Sequence, residues 1–157
     1  MKTSALKLTL AYAIAAVIQG ALSSRIPQDF MPDLALIVIV FIGLRLPMMQ
    51  GILACAAFGL VSDVLFTQSI GLSLGGYTVV FLFTKIVSAL FFADNALSRI
   101  ILVILSGFLI KLYYAFALAV VGLELTIKIY PFAILLSGAL APWLVKMLES
   151  WTLRNEA

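Results

Sequence analysis

The chain has 157 residues, of which 64% are apolar and 11% are charged, and its mean hydropathy is +1.21. Soluble domains carry roughly 25% charged residues, so this composition excludes an ordinary soluble domain and makes the bilayer the expected solvent for most side chains. The net charge is +3, but the ten Lys and Arg residues are scattered rather than clustered, which argues against nucleic-acid binding.

Six predominantly apolar segments follow one another along the chain. They are continuous apolar runs without the alternation of barrel strands, so they indicate helices. The second segment is short, since residues 32–46 span only about 22 Å as a helix. We predict an all-α integral membrane protein, with residues 1–157 forming a single polytopic domain built as a six-transmembrane-helix bundle. The predicted helices are Leu6–Ser23, Pro32–Gly43, Pro47–Phe66, Ile70–Phe92, Leu97–Leu123 and Ile129–Leu148.

Short connections with helix-breaking residues separate these segments. The first, residues 25–33, contains two prolines, and Arg45-Leu-Pro47 turns the second segment into the third. Asp94 or Asn95 can cap the fifth helix.

Lys and Arg flank the segments unequally. With six spans, both termini lie on one side, which carries six basic residues, whereas the other side carries two. The positive-inside rule therefore predicts cytoplasmic N- and C-termini. The first set is Lys2, Lys7, Arg45, Arg99, Lys146 and Arg154, and the second is Arg25 and Lys128.

Three charged residues fall inside the predicted helices: Asp63, Lys85 and Lys111. Such charges are costly in lipid and usually face the bundle interior or a partner. Asp63 and Lys111 lie about 24 Å and about 21 Å from the inner ends of their helices. Asp63 therefore either caps or solvates its helix end, pairs with Lys111, or contacts a ligand or partner. Lys85 is expected to extend towards the cytoplasm.

Small residues recur along the third and fourth segments. They permit close approach of helices in lipid, either within this chain or with a partner helix. They are Gly51, Ala54, Ala57, Gly59, Gly71, Gly75 and Gly76.

The residues that most enzymes depend on are scarce. The chain has no histidine, and its one cysteine, Cys55, lies in an apolar run. No serine is accompanied by a base and an orienting group, and no Gly-rich phosphate motif or metal-ligand cluster is visible. We therefore predict no catalytic residue, no metal and no cofactor.

Six segments form a recognisable series by their order and spacing. They are Met31-Pro-Asp-Leu-Ala-Leu-Ile-Val, Gly-Leu-Arg-Leu-Pro47, Gly51, Phe58-Gly-Leu-Val-Ser-Asp63, Ile70-Gly-Leu72 and Ser137-Gly-Ala-Leu-Ala-Pro142-Trp. Together they resemble the rod shape-determining protein MreD family over roughly residues 8–150. Lys85 and Lys111 match no motif of that family.

The resemblance implies a fold similar to the substrate-binding subunits of energy-coupling-factor transporters and a place in the bacterial cytoplasmic (inner) membrane. It also implies a non-enzymatic scaffold of cell-wall elongation that binds MreC and works with RodA, a class B penicillin-binding protein and MreB. Asp63, Lys111 and Lys85 are then candidate partner contacts. The motif and packing positions are Pro32, Asp33, Arg45, Gly51, Gly59, Gly71, Gly138 and Pro142.

A second hypothesis is the substrate-binding subunit of a vitamin-type transporter, for which the same size, six spans and short loops are suitable. Such a site needs a few convergent polar groups in an apolar pocket. Asp63, Lys111, Tyr113 and Glu124 are the candidates.

Overall fold

The computed structural model describes residues 2–23, 25, 27, 30–66, 71–90, 95–121 and 130–153. These residues form six α-helices in the predicted order, which confirms the all-helical prediction. The helices are α1 (Lys2–Ser23), α2 (Leu34–Arg45), α3 (Met48–Phe66), α4 (Leu72–Leu90), α5 (Ala96–Val121) and α6 (Pro131–Leu153).

Three of these helices are long and apolar enough to cross a membrane, and the relevant stretches are Leu72–Ala89, Ala96–Val120 and Pro131–Trp151. The first three helices contain shorter apolar stretches, namely Thr9–Leu22, Leu34–Arg45 and Met48–Val64. Among the described residues, three of the six predicted spans are therefore long and apolar enough to cross a membrane.

The short helix α2 forms the centre of the molecule. Every residue from Ala35 to Gly43 is buried, and α2 contacts each of the other five helices. A helix that is apolar on all sides is one that neighbours surround. Its 12 residues cover only about 18 Å, and neighbouring helices shield it along that length.

Local chemistry sets the ends of α2. The Asp33 side chain accepts a hydrogen bond from the backbone N–H of Leu36 at 2.9 Å and so caps the first turn. Leu46 adopts an extended conformation because Pro47 follows it, and a residue before proline is disfavoured in the helical region. The helix therefore begins and ends two residues later than predicted, at Leu34 and Arg45.

Glycines bring α3 and α4 together. An added Cβ at Gly59 would overlap the backbone of Leu74, and one at Gly51 would overlap the ring of Phe81. Backbone cannot move aside as a side chain can, so Gly59 fixes the closest approach of the two helices. These small residues thus serve packing inside the chain.

The bundle has two distinct ends. The Lys7 ammonium donates to the carbonyl oxygen of Trp151 at 2.9 Å, so α1 begins where α6 finishes. We call this the terminal end. At the opposite, distal end α1, α3 and α5 finish and α2, α4 and α6 begin. There Gln19 of α1 accepts from the backbone N–H of Ala35, and the N–H of Asp33 donates to Ser137 Oγ of α6 at 2.8 Å.

Candidate functional site

A cavity of about 480 Å³ lies at the distal end and is lined by residues from all six helices. Small-molecule sites usually have volumes of about 300–1,000 Å³, so the size is suitable for a ligand. Apolar residues of α1, α2, α5 and α6 form much of its wall. Its polar lining consists of Tyr12, Gln19, Asp33, Ser62, Ser73, Tyr77, Lys111, Tyr114, Tyr130 and Ser137.

Three hydroxyl groups in this lining converge from different helices. Tyr12 donates to the carbonyl oxygen of Phe58 at 3.0 Å and also contacts Ser62 Oγ, which lies 3.4 Å from the Tyr77 hydroxyl. The Tyr12 ring stacks on the Phe58 ring with centroids 4.1 Å apart. These contacts hold the hydroxyls of α1, α3 and α4 in fixed positions on the wall of the cavity.

Asp63 follows Ser62 but serves a different purpose. Only 1% of its surface is exposed, and its carboxylate accepts from the backbone N–H groups of Gly71, Ser73 and Leu74 at 2.8, 2.7 and 3.2 Å. The first N–H groups of a helix lack partners within the helix, and a carboxylate there also interacts favourably with the helix dipole. Asp63 of α3 therefore caps α4, and Gly71, with φ +100°, allows the chain to turn into that position.

The alternative partner for Asp63 was Lys111. Among the described residues, no ion pair joins the two, and the ion pairs formed are those of Glu149. Similar depths did not bring the side chains together, because the free N–H groups of α4 lie against the end of α3. None of the three alternatives described this arrangement, in which Asp63 is buried and caps the following helix α4 instead of its own helix end.

Lys111 lines the cavity instead. It is partly buried, and within the part of the chain that the structure describes its ammonium group forms no hydrogen bond or ion pair. Asp33 lines the same cavity, where its cap on Leu36 is the one hydrogen bond that its carboxylate makes to described residues. Two opposite charges thus face one cavity without contacting each other.

The remaining candidates for a ligand site lie elsewhere. The described lining includes neither Asp63 nor Tyr113, and Glu124 lies outside the described residues. Lys85 is a partly buried residue in the second half of α4 and does not line the cavity. The hydroxyl groups of Tyr12, Ser62 and Tyr77 were missed, because only tertiary packing brings them together.

A charge cluster occupies the terminal end. Glu149 Oε1 accepts from Arg45 Nη2 at 2.5 Å and from Arg99 Nη2 at 3.1 Å, and so connects α2, α5 and α6. Both arginines were predicted to lie on this side, whereas Glu149 was not identified as their partner. Its position in the last two turns of α6 was the available signal.

Two of the motif positions, Gly138 and Pro142, lie one turn apart in α6. Pro142 lies inside α6 and has no N–H to donate to the carbonyl oxygen of Gly138, four residues earlier. An added Cβ at Gly138 would overlap the Ile104 side chain of α5. Gly138 therefore lets α6 approach α5 at the turn that Pro142 weakens.

The remaining motif proline, Pro32, is partly buried directly before the Asp33 cap.

Among the described residues, no group of three or more His, Cys, Asp or Glu side chains is placed to hold a metal ion, and Cys55 is a buried free thiol.

The strongly apolar composition, the all-helical bundle and its three membrane-length helices define an integral membrane protein. The chain matches the family model described as rod shape-determining protein MreD over residues 2–151, and it belongs to that family. This confirms the resemblance found in the motifs. Comparison with curated proteins and with solved structures gave no match.

Membership of this family has direct consequences. The family determines rod shape, and the protein is therefore part of the rod-shape system of the bacterial inner membrane. It is a family of shape-determining structural proteins and not a known enzyme family.

Proposed function

We propose that this chain is a non-enzymatic scaffold of the elongation machinery that binds MreC and helps to control the synthase formed by RodA and a penicillin-binding protein, in association with MreB. The observation that carries the proposal is the family match over nearly the whole chain. The use of charged groups agrees with it, since Asp63 caps a helix and Glu149 joins three helices.

The proposal includes six membrane spans in a single domain, a fold like that of energy-coupling-factor substrate-binding subunits, and cytoplasmic termini. The Lys7–Trp151 contact supports an even number of crossings, because it places the start of α1 beside the end of α6. Arg45, Arg99 and Lys146 belong to that same end, as the positive-inside rule requires of the cytoplasmic side. In this orientation the cavity is on the periplasmic side.

A row on α3 is the proposed surface for the membrane helix of MreC. Leu53, Ala57, Leu60 and Val64 recur at helical spacing, and all four are exposed. Ala57 at the middle of the row allows a second helix to approach closely. The larger residues on either side would then pack along that helix.

Co-purification tests the partner. The chain would carry a C-terminal tag and be extracted in mild detergent, and its partners would be identified by mass spectrometry. We expect MreC to be recovered with the wild type and Ala57→Leu to lower its yield. Ala139→Leu, an equal change at an exposed position on α6, is the matched control. Equal yields from both variants would exclude the α3 row, and absence of MreC from the wild type would contradict the scaffold proposal.

Depletion tests the role in cells. Loss of the protein should convert rods into rounded cells, since a scaffold that biases the synthase towards its active state shifts a population. Normal elongation of rod-shaped cells after complete depletion would exclude this function.

The cavity favours a second candidate, the substrate-binding subunit of a vitamin-type transporter. In that case the same purification would recover paired ATPases with a coupling membrane subunit in place of MreC.

A further inference from the structure

The two charged residues that line the distal cavity indicate which charges a ligand of this cavity would carry. Lys111 and Asp33 line the same cavity, and within the described residues neither forms an ion pair. Ionised groups inside a membrane protein are costly unless a partner or water satisfies them. A ligand that carries both charges would satisfy the two residues at once.

The rest of the lining has donors and aromatic faces for each half of such a ligand. The side-chain amide of Gln19, whose oxygen accepts from the backbone N–H of Ala35, has N–H groups that can donate to the oxygens of an anion. Tyrosine rings attract an ammonium group through their negative faces, and Tyr130 is one of four tyrosines in the lining. Asp33 supplies the matching carboxylate.

We propose that the distal cavity binds a zwitterionic group in which an ammonium and a phosphate are joined by a short linker. Lys111 receives the phosphate, and Asp33 receives the ammonium. The group can come from the headgroup of a zwitterionic phospholipid or from a free phosphorylated amine. The proposal concerns the cavity alone and holds with or without the MreC partnership.

The test measures binding to the purified full-length chain in mild detergent. Native mass spectrometry would compare phosphatidylethanolamine with phosphatidylglycerol of the same acyl chains, and calorimetry would measure free phosphoethanolamine. We expect at least one of the two ethanolamine probes to bind, and the lipid to exceed phosphatidylglycerol about tenfold if it is the source. Binding of the lipid alone identifies a headgroup site, and binding of phosphoethanolamine identifies a soluble ligand.

Four substitutions, one of them a control outside the cavity, assign the contacts. Lys111→Met and Asp33→Asn should each weaken binding about tenfold or more, since each removes one charge. Asparagine is as good a helix cap as aspartate, so Asp33→Asn leaves α2 capped. Lys146→Met, which removes a charge from an exposed position outside the cavity, should bind as the wild type does. If Asp33→Asn fails to fold, Lys111→Arg must retain the binding that Lys111→Met loses.

Four results would overturn the proposal. The first is that neither ethanolamine probe binds. Phosphatidylglycerol binds as well as phosphatidylethanolamine and phosphoethanolamine does not bind. Binding is unchanged in both Lys111→Met and Asp33→Asn. Binding depends on Lys111 but not on Asp33, which describes a simple anion site. Because no partner protein is present, none of these results bears on the scaffold role.

Discussion

The two ends of the bundle use charge in opposite ways. At the terminal end, Glu149 contacts Arg45 and Arg99 directly and links three helices. At the distal end, Asp33 and Lys111 face a common cavity without contacting each other, while the fully buried Asp63 is used to cap α4. Opposite charges thus join helices at the terminal end, whereas at the distal end the carboxylates cap helices and Lys111 forms no ion pair with the described residues.

The largest expected loss of stability is at Asp63, which caps α4 and, unlike Asp33 and Lys111, does not line the cavity. Asp63→Ala removes the acceptor for three backbone N–H groups at a buried site, so we expect a loss of about 3 kcal/mol in the free energy of unfolding. Denaturant unfolding in detergent, followed by circular dichroism, measures it. Asp63→Asn keeps a capping oxygen and should lose about half as much. Wild-type stability of Asp63→Ala would show that the cap is dispensable.

The terminal cluster should give the next largest effect. Glu149→Gln removes the charge that two guanidinium groups share in a partly buried position, and we expect a loss of about 1–2 kcal/mol. A double-mutant cycle with Arg99→Met measures the pair itself. Because the side chain of Arg45 is 50% exposed, a parallel cycle with Arg45→Met should give the smaller coupling. Additive losses in both cycles would mean that the two ion pairs themselves contribute nothing to stability.

The hydroxyl network at the cavity wall should give a smaller loss. Tyr12→Phe removes the donor to the carbonyl oxygen of Phe58 but keeps the stacked ring, and we expect a decrease of about 1 kcal/mol. The same unfolding assay measures it. Tyr113→Phe, on a tyrosine outside the described lining, is the comparison variant. An equal decrease in the free energy of unfolding of both variants would show that the hydroxyl network contributes no more to stability than the Tyr113 hydroxyl does.

The smallest expected effect on stability is at Lys111, and it tests the contrast between the two ends of the bundle most directly. Lys111→Met should change the free energy of unfolding by less than about 0.5 kcal/mol, because it removes no hydrogen bond or ion pair to the described residues and keeps most of the apolar side chain. The same change at the other end, Arg99→Met, should destabilise the protein, because it breaks a contact with Glu149. A large loss for Lys111→Met would mean that this lysine supports the fold, and the contrast between the ends would fail.

Much of the fold could be predicted from the sequence because continuous apolar runs have one stable form in lipid. All six helices follow the predicted order, and their ends differ by a few residues where a cap such as Asp33 decides the first turn. The partner of Asp63 could not be chosen, since depth along a helix says nothing about which face meets which neighbour. The cavity was equally hidden, because it depends on side chains such as Tyr12 and Lys111 from different helices.

The cap on α4 also restricts how this sequence can change in length. Asp63 reaches α4 only because it lies one turn beyond Gly59, which sits against the backbone of Leu74. Inserting or deleting one residue between Gly59 and Asp63 would rotate the carboxylate by about 100° around α3 and direct it away from the N–H groups it serves. We therefore expect this turn to accept substitutions but not insertions or deletions, because the four-residue interval from Gly59 to Asp63 sets the register between the two helices.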